Sequence, residues 1–197
     1  MIIESGIGNG KMAAVDGDNR LLTASFNIPF QHLVAKDYAK SFQVWGEANL
    51  ASGTVIPLHI KNTSQDKVIV LTYLRWQIID EANGTALPSA ANYMEFGYGA
   101  AYASGGTAKP PVNMTSSSSV LSSVTAFQGN PTLSGSPTVF DRHYPKSEGD
   151  IYAYNKEGAA LLIPGSTFTA QFTGDHTAGK VYCRASFVEV SLSDYSG

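Results

Sequence analysis

The chain has few charged residues and a single cysteine. Asp, Glu, Lys and Arg make up 15% of its 197 residues, against about 25% in ordinary globular domains. Because Cys183 has no second cysteine to pair with, the fold does not depend on an internal disulfide. In place of the missing charged residues, the chain contains many small or polar uncharged ones: Gly, Ser, Thr, Asn and Ala. A polar but weakly charged surface of this kind suits extensive contact with other proteins.

Other absences exclude partners and compartments. The formal net charge is −3 and the pI is about 5.7, so there is no basic excess and we expect no nucleic-acid partner. No apolar run approaches the ~20 residues of a membrane span, and we expect no membrane association. The first residues, MIIE, lack the basic and apolar regions of a signal peptide.

Motifs for catalysis are also missing. There is no G-x-S-x-G elbow, no H-x-x-x-H and no C-x-x-C pair. We therefore predict no catalytic residue, no cofactor, no metal site and no enzymatic activity. Paired carboxylates stay open as an alternative, since a glycosidase needs only two. The nearest acidic clusters, Asp80-Glu81 and Glu148-x-Asp150, lie in turn-like stretches where solvated acids are expected.

The first forty residues contain the least regular pattern. Gly10-Lys11 is followed by Met12, which has no hydroxyl for magnesium, so a P-loop is excluded. The G-x-G-x-x-A pattern that begins at Gly8 lacks the strand and helix of a dinucleotide site. An EF-hand loop fails because Leu21 stands where glycine is required. We interpret residues 1–40 as an extended N-terminal arm with a tight turn near Asp16.

From Ser41 onward, apolar residues recur at every second position, which predicts β-strands. In the first of these, Trp45 falls on the polar face, opposite a strip of apolar residues: Phe42, Val44, Gly46, Ala48 and Leu50. The next strand contains Pro57, which predicts either an edge position or a bulge. His59 falls on the outer face of that strand and is predicted to lie at the surface.

The segment Val68–Asp80 is the most apolar of the chain, and it predicts a strand covered on both faces. Strict alternation assigns Val68, Val70, Leu74, Trp76 and Ile78 to one face and Ile69, Leu71, Tyr73 and Ile79 to the other. Two alternating strands near the C-terminus, around Phe168–Phe172 and Val181–Phe187, are predicted to pair antiparallel with each other. Cys183 faces inward in the second and is predicted to be buried.

Residues 81–150 are rich in turn formers, yet aromatic residues recur throughout, which argues against disorder. We interpret them as a long elaboration of loops and hairpins, with short strands at Tyr93–Tyr98, Val120–Phe127 and Pro137–Phe140. The prediction is therefore an all-β fold. It is an antiparallel β-sandwich resembling a jelly roll, over residues 41–197, with the extended arm before it.

Three stretches carry a resemblance to a known family. The opening Ser5-Gly6-x-Gly8-Asn9-Gly10 continues through Asn19-Arg20-Leu21 and resembles the N-terminal motif of small virion structural proteins of tailed phages. The stretch Leu58-His59-Ile60-Lys61-Asn62 is similar to a strand end in those proteins. Ile163-Pro164-Gly165-Ser166 before an alternating strand is similar as well. The matches cover both ends of the chain but not residues 81–150.

The resemblance implies a phage virion structural protein, most specifically a decoration or cement protein that stabilises the capsid. Its partners would be the major capsid protein and copies of itself, with a homotrimer favoured. It would act in the virion after assembly in the host cytoplasm. The predicted partner-binding residues in the arm are three glycines, which allow close backbone approach, and three hydrogen-bonding side chains: Gly6, Gly8, Gly10, Asn9, Asn19 and Arg20.

Trp45 completes the predicted partner-binding set. An exposed aromatic ring on a polar strand face suits contact with the arm or with a neighbouring subunit. The alternative for the same ring is a sugar-binding platform, which would suit a tail, neck or fibre-associated virion protein. A glycan hydrolase is the third alternative.

Overall fold

The computed structural model describes residues 3–4, 12–15, 21–22, 40–79, 87–115 and 118–192, with the side chains of the first three segments and of residues 154–159 outside that description. The chain divides into two compact units, residues 1–30 and residues 31–197. In the first unit the described residues form a small antiparallel sheet in the order β1–β2–β3: Ile3–Glu4, Met12–Val15 and Leu21–Leu22.

The second unit is built from two larger antiparallel sheets and a separate pair of short antiparallel strands. The five-stranded sheet has the order β10 (Val112–Asn113), β4 (Ser41–Asn49), β16 (Lys180–Ser191), β6 (Lys67–Ile79), β14 (Ile151–Leu162). The six-stranded sheet has the order β13 (Thr138–His143), β7 (Tyr93–Tyr98), β15 (Thr167–Gly174), β5 (Gly53–Asn62), β11 (Val124–Gln128), β9 (Thr107–Ala108). The separate pair is β12 (Thr132–Ser134) with β8 (Ala101–Ser104).

The connectivity of the long strands is that of a jelly roll. The chain passes from β4 in the first sheet to β5 in the second, then to β6 in the first and β7 in the second. It returns through β13, β14, β15 and β16, which lie in the second, first, second and first sheets. The resulting order, β4–β16–β6–β14 against β13–β7–β15–β5, is two Greek keys folded together. The predicted antiparallel β-sandwich of jelly-roll type is therefore confirmed.

The core lies between the two sheets, where the alternating side chains of both meet. In β4, Phe42, Val44 and Ala48 are buried as their period predicts. Phe42 stacks on Phe187 at 5.7 Å within the five-stranded sheet, and Phe96 stacks on Phe168 at 5.8 Å within the six-stranded sheet. Each such ring contributes about 1.5–3 kcal/mol by burial, so the strand pattern itself supplies much of the driving force for folding.

Gly46 allows the sheets to approach closely. A Cβ atom at this position would lie 2.3 Å from the carbonyl oxygen of Pro57, in the opposite sheet. Pro57 lies within β5, which is an interior strand with β15 and β11 as neighbours. The pairing register of β15 with β5 shifts between Ala170 and Phe172, opposite this proline. Of the two predicted explanations for a proline in this strand, the bulge is thus the one observed.

The predicted alternation along β6 is wrong at one point. Opposite Ser186 and Phe187 the register shifts, and Thr72 becomes an extra residue whose hydroxyl donates to the carbonyl of Ser186 at 3.1 Å. Because a bulge exchanges the two faces, Ile69 and Leu71 join the main core together with Leu74, Trp76 and Ile78. Val68 and Val70 instead form a second cluster with Val188 and Val190.

The predicted pairing of the two C-terminal strands is also wrong. β15 pairs with β5 and β7, whereas β16 pairs with β4 and β6, so the two strands lie in different sheets. Their apolar sides were assigned correctly, since Phe168, Phe172, Val181 and Cys183 are buried. Period two identifies the inward face of a strand, but it carries no information about the strand's hydrogen-bonded neighbour.

Between β7 and β13 the chain makes a long excursion, the β7–β13 connection (residues 99–137). It adds β10 to the edge of the five-stranded sheet, and β11 and β9 to the edge of the six-stranded sheet. The segment 81–150 also supplies β7 and β13, which belong to the six-stranded sheet itself. Over the part of the chain that is described, no helix has the length and hydropathy needed to cross a membrane.

Candidate interaction surface

The predicted partner-binding residues separate into two groups. Gly6, Gly8, Asn9, Gly10, Asn19 and Arg20 lie outside the described residues. Trp45 is described, and it lies where the strand period predicts, on the outward side of β4 with 43% of its surface exposed.

We call the part of the outward surface of the five-stranded sheet that surrounds Trp45 the open face; farther along the same side lies the buried cluster of Val68, Val70, Val188 and Val190. Besides Trp45, three apolar side chains on it are well exposed: Ile79 at 39%, Val112 at 66% and Ile151 at 53%. The register places them on one side, because Val112 pairs with Gln43 of β4, and Ile151 pairs with Gln77 of β6. They share one side of the sheet, with Val112 on one edge strand, Ile151 on the other, and polar side chains between them.

Trp45 is held by a cation at its ring. The ammonium nitrogen of Lys109, in the β7–β13 connection, lies 3.4 Å from the ring centroid. A cation–π contact at an exposed site contributes about 0.5–1 kcal/mol. The contact therefore orients the indole while leaving much of it available to a partner.

Two arginines lie directly opposite each other beside the tryptophan. Arg184 of β16 pairs in register with Trp45 on one side and with Arg75 of β6 on the other. Arg184 donates to the side-chain oxygen of Gln43, but its Nε is buried and has no hydrogen-bond partner in the described part of the chain. Arg75 forms no hydrogen bond or ion pair with the described residues. Like charges facing each other across strands are destabilising unless an anion lies between them.

The arginines line a shallow depression of about 240 Å³ that also includes Trp45, Tyr182 and Gln77. Farther along the face, Lys180 donates to the Glu47 carboxylate at 2.7 Å, so that lysine is already neutralised. The uncompensated positive charge of the open face is thus concentrated at the depression. Arg and aromatic side chains together are the residues enriched where proteins bind one another.

The outward surface of the six-stranded sheet, the covered face, is organised differently. His59 and Thr169 are both completely buried there, and His59 Nδ1 lies 3.0 Å from the Thr169 hydroxyl. Tyr102 of the β7–β13 connection stacks on Phe127 at 3.8 Å, next to His59 in the register. At the other side, a Cβ on Gly97 would lie only 2.8 Å from Pro137. The connection thus closes over this face.

His59 was predicted at the surface, and that prediction is wrong. Its position on the outward side of β5 was correct, but the β7–β13 connection covers it. Burial, together with the positive charge of Lys61, lowers the pKa of His59 to about 4, so the ring is neutral at physiological pH. Its Nε2 is buried without a partner among the described residues. No period or motif could have revealed this, because the cover comes from residues about forty or more positions away.

Two buried carboxylates have structural partners, one within the six-stranded sheet and one in the β7–β13 connection. Glu95 accepts hydrogen bonds from Arg142 Nε at 2.8 Å and from Gln171 Nε2 at 2.7 Å. Glu189 accepts from Lys67 Nζ at 3.0 Å and, at 2.7–2.8 Å, from the hydroxyls of Ser122 and Ser123 and the backbone N–H of Ser123. The second carboxylate attaches the middle of the β7–β13 connection to the end of the sandwich. Both acids have their acceptor capacity used by structural donors.

Of the two acidic clusters named from the sequence, one lies within the described residues. Asp80-Glu81 lies outside the described residues. Glu148 and Asp150 are exposed in the turn before β14, and Asp150 accepts a hydrogen bond from the Ser147 hydroxyl. Within the described segments, no three His, Cys, Asp or Glu side chains gather as metal ligands. Cys183 is buried, and burial raises the pKa of its thiol, as suits a packed rather than a reactive cysteine.

The chain matches no protein-family model and no curated protein sequence. Inferences about its activity and partners therefore depend on the geometry above and on the motifs in the sequence.

Proposed function

We propose that this chain is a structural protein of a tailed-phage virion, specifically a decoration or cement protein that binds the capsid shell through protein–protein contacts. The observation that carries the proposal is the open face. It combines an exposed tryptophan, exposed aliphatic side chains and two arginines that have no carboxylate partner among the described residues. A surface of this kind gains free energy when a partner covers it.

The jelly-roll fold is compatible with this role, because jelly rolls are common in viral capsid domains. Fold alone does not define function. What the fold supplies is a rigid sheet whose central strands, β4, β16 and β6, carry the binding side chains at fixed spacing. The partner would be the major capsid protein, and it would present an acidic patch to Arg75 and Arg184 and an apolar margin to Trp45. Self-association as a homotrimer belongs to the same proposal, and light scattering at micromolar concentration tests it.

The test is co-sedimentation of the purified protein with capsids assembled without it. We expect Trp45→Ala and Arg75→Glu each to weaken binding by a factor of about 30, the size of a typical interface hot spot of about 2 kcal/mol. Leu121→Ala is the control for Trp45→Ala, because Leu121 is 86% exposed but lies outside the open face. Lys146→Glu is the control for charge reversal. Equal binding by all four variants would reject the open face as the contact surface.

The location of the protein on the particle distinguishes the alternatives. Many copies distributed over the shell support a decoration protein, whereas a few copies at one vertex support a tail, neck or fibre component. A glycan hydrolase would depolymerise polysaccharide in a purified assay. Mass-spectrometric stoichiometry of the virion decides between the first two.

A further inference from the structure

A groove of about 630 Å³ opens between the six-stranded sheet, the β7–β13 connection and the turn before β15. This volume is within the range of small-molecule sites, about 300–1,000 Å³. The groove is separate from the open face, since none of its lining residues belongs to the depression around Trp45. Its walls combine aromatic rings with hydroxyl groups and one cation.

The cation is Lys61, near the end of β5. The register places it between Thr125 of β11 and Thr167 of β15, so the three form a row across adjacent strands. Lys61 is exposed and has no ion-pair partner among the described residues, and the Thr125 side chain is exposed beside it. Thr167 has a structural role instead, because its hydroxyl donates to the Ala100 carbonyl at 2.7 Å and accepts from the Gly99 N–H at 3.2 Å. These two hydrogen bonds fix the Thr167 side chain at the edge of the groove.

The aromatic part of the groove is rigid. Tyr102 and Phe127 are stacked nearly parallel, with an interplanar angle of 9°, and the Tyr102 hydroxyl donates to the Gly105 carbonyl at 3.1 Å. Tyr98 also lines the groove, and its ring stacks on Phe140 at 4.5 Å. The Tyr98 hydroxyl is buried and has no hydrogen-bond partner among the described residues.

We propose that this groove binds a carbohydrate that carries a carboxylate, such as a hexuronic acid residue of an acidic polysaccharide. The apolar face of a pyranose ring packs against aromatic side chains such as Tyr102 and Phe127, and its hydroxyls both donate and accept hydrogen bonds. Thr125 and Ser166 line the groove and carry hydroxyl groups. Lys61 pairs with the sugar carboxylate in a charge-assisted hydrogen bond. A nucleotide is disfavoured because a single lysine faces its phosphates in an acidic protein.

The test is isothermal titration with two defined probes: oligomers of alternating glucuronic acid and N-acetylglucosamine, and neutral oligomers of N-acetylglucosamine. We expect the acidic probe to bind and the neutral one to bind at least about tenfold more weakly, from the loss of one charge-assisted bond. Lys61→Gln is expected to remove that preference, while Lys146→Gln, on a distant exposed lysine, retains it.

Two further variants test the charge and the aromatic wall of the groove separately. Thr125→Glu places a carboxylate next to Lys61 at an exposed position and is expected to abolish binding of the acidic probe without a change in thermal unfolding. Tyr102→Ala is expected to weaken both probes. Failure of the acidic oligosaccharide to bind the intact protein overturns the inference, as does an unchanged preference for it in Lys61→Gln. Because Lys61 lies outside the open face, Lys61→Gln is expected to co-sediment normally with capsids, so the two proposals fail independently.

Discussion

The two outward faces of the sandwich have similar strand patterns but opposite environments. On the five-stranded sheet, the outward row Gln43, Trp45 and Glu47 contacts solvent. On the six-stranded sheet, the outward residues His59, Thr169 and Glu95 are buried beneath or beside the β7–β13 connection. Gln43 and Glu47 bond to Arg184 and Lys180 on the same face and stay partly accessible, whereas the polar side chains of the covered face are enclosed. The same type of residue is therefore partly accessible on one face and enclosed on the other.

The largest expected difference in stability between the two faces comes from removing one glutamate on each. The Glu95 side chain is 7% exposed in its pair with Arg142, while the Glu47 side chain is 30% exposed in its pair with Lys180. We expect Glu95→Ala to destabilise the fold by about 3 kcal/mol, because it removes the charge-assisted hydrogen bonds that a nearly buried carboxylate accepts from Arg142 and Gln171. Glu47→Ala should cost about 0–1 kcal/mol. Thermal unfolding should show a decrease of roughly 6–12 °C for the first variant and a few degrees at most for the second. Equal decreases would mean that Glu95 is not enclosed as the structure indicates.

A smaller effect is expected from pH, and it is specific to the covered face. His59 has a pKa of about 4 in the folded chain and about 6.5 when unfolded. Between these values the unfolded state binds more protons, so stability falls as the pH is lowered through this window and is unaffected by His59 above it. The loss should be about 2 kcal/mol on going from about pH 7 to about pH 5.

Chemical denaturation at several pH values measures this loss. His59→Gln should flatten the profile in that window, whatever its effect on absolute stability, because the titrating group is gone. His143→Gln serves as a histidine control outside the covered face. A profile that keeps its slope in His59→Gln would assign the pH dependence to other groups.

The smallest expected effect on stability belongs to the open face. Trp45→Ala removes the contact with Lys109 and a half-exposed ring, so we expect a loss of at most about 1 kcal/mol. The same variant is expected to weaken capsid binding strongly, as proposed above. Thermal unfolding followed by circular dichroism measures the loss of stability, and co-sedimentation measures the loss of capsid binding. A loss of several kcal/mol would show that Trp45 is part of the core packing rather than a binding residue.

Much of the candidate surface could be anticipated locally. The outward position of Trp45 follows from the two-residue period around Phe42 and Val44. The tryptophan is also exposed in the folded chain, as that period predicts. The meeting of Arg75 with Arg184 was not predicted, because β6 and β16 are adjacent only through the crossover of the jelly roll. For His59, the predicted outward side of the strand was right, but the predicted exposure to solvent was wrong. The predicted residues of the arm stay a prediction.

By itself, the sequence determined the local alternation of apolar and polar residues, and with it the all-β class, the inward residues of β4, β15 and β16, and the burial of Cys183. These are properties of neighbouring residues along one strand, which the pleat fixes. Tertiary structure alone decided which strands pair, where the bulge at Thr72 exchanges the faces of β6, and which outward face is covered. These features depend on contacts between distant segments, such as Glu189 with Ser122 and Ser123, whose free energy appears only when the sheets are assembled.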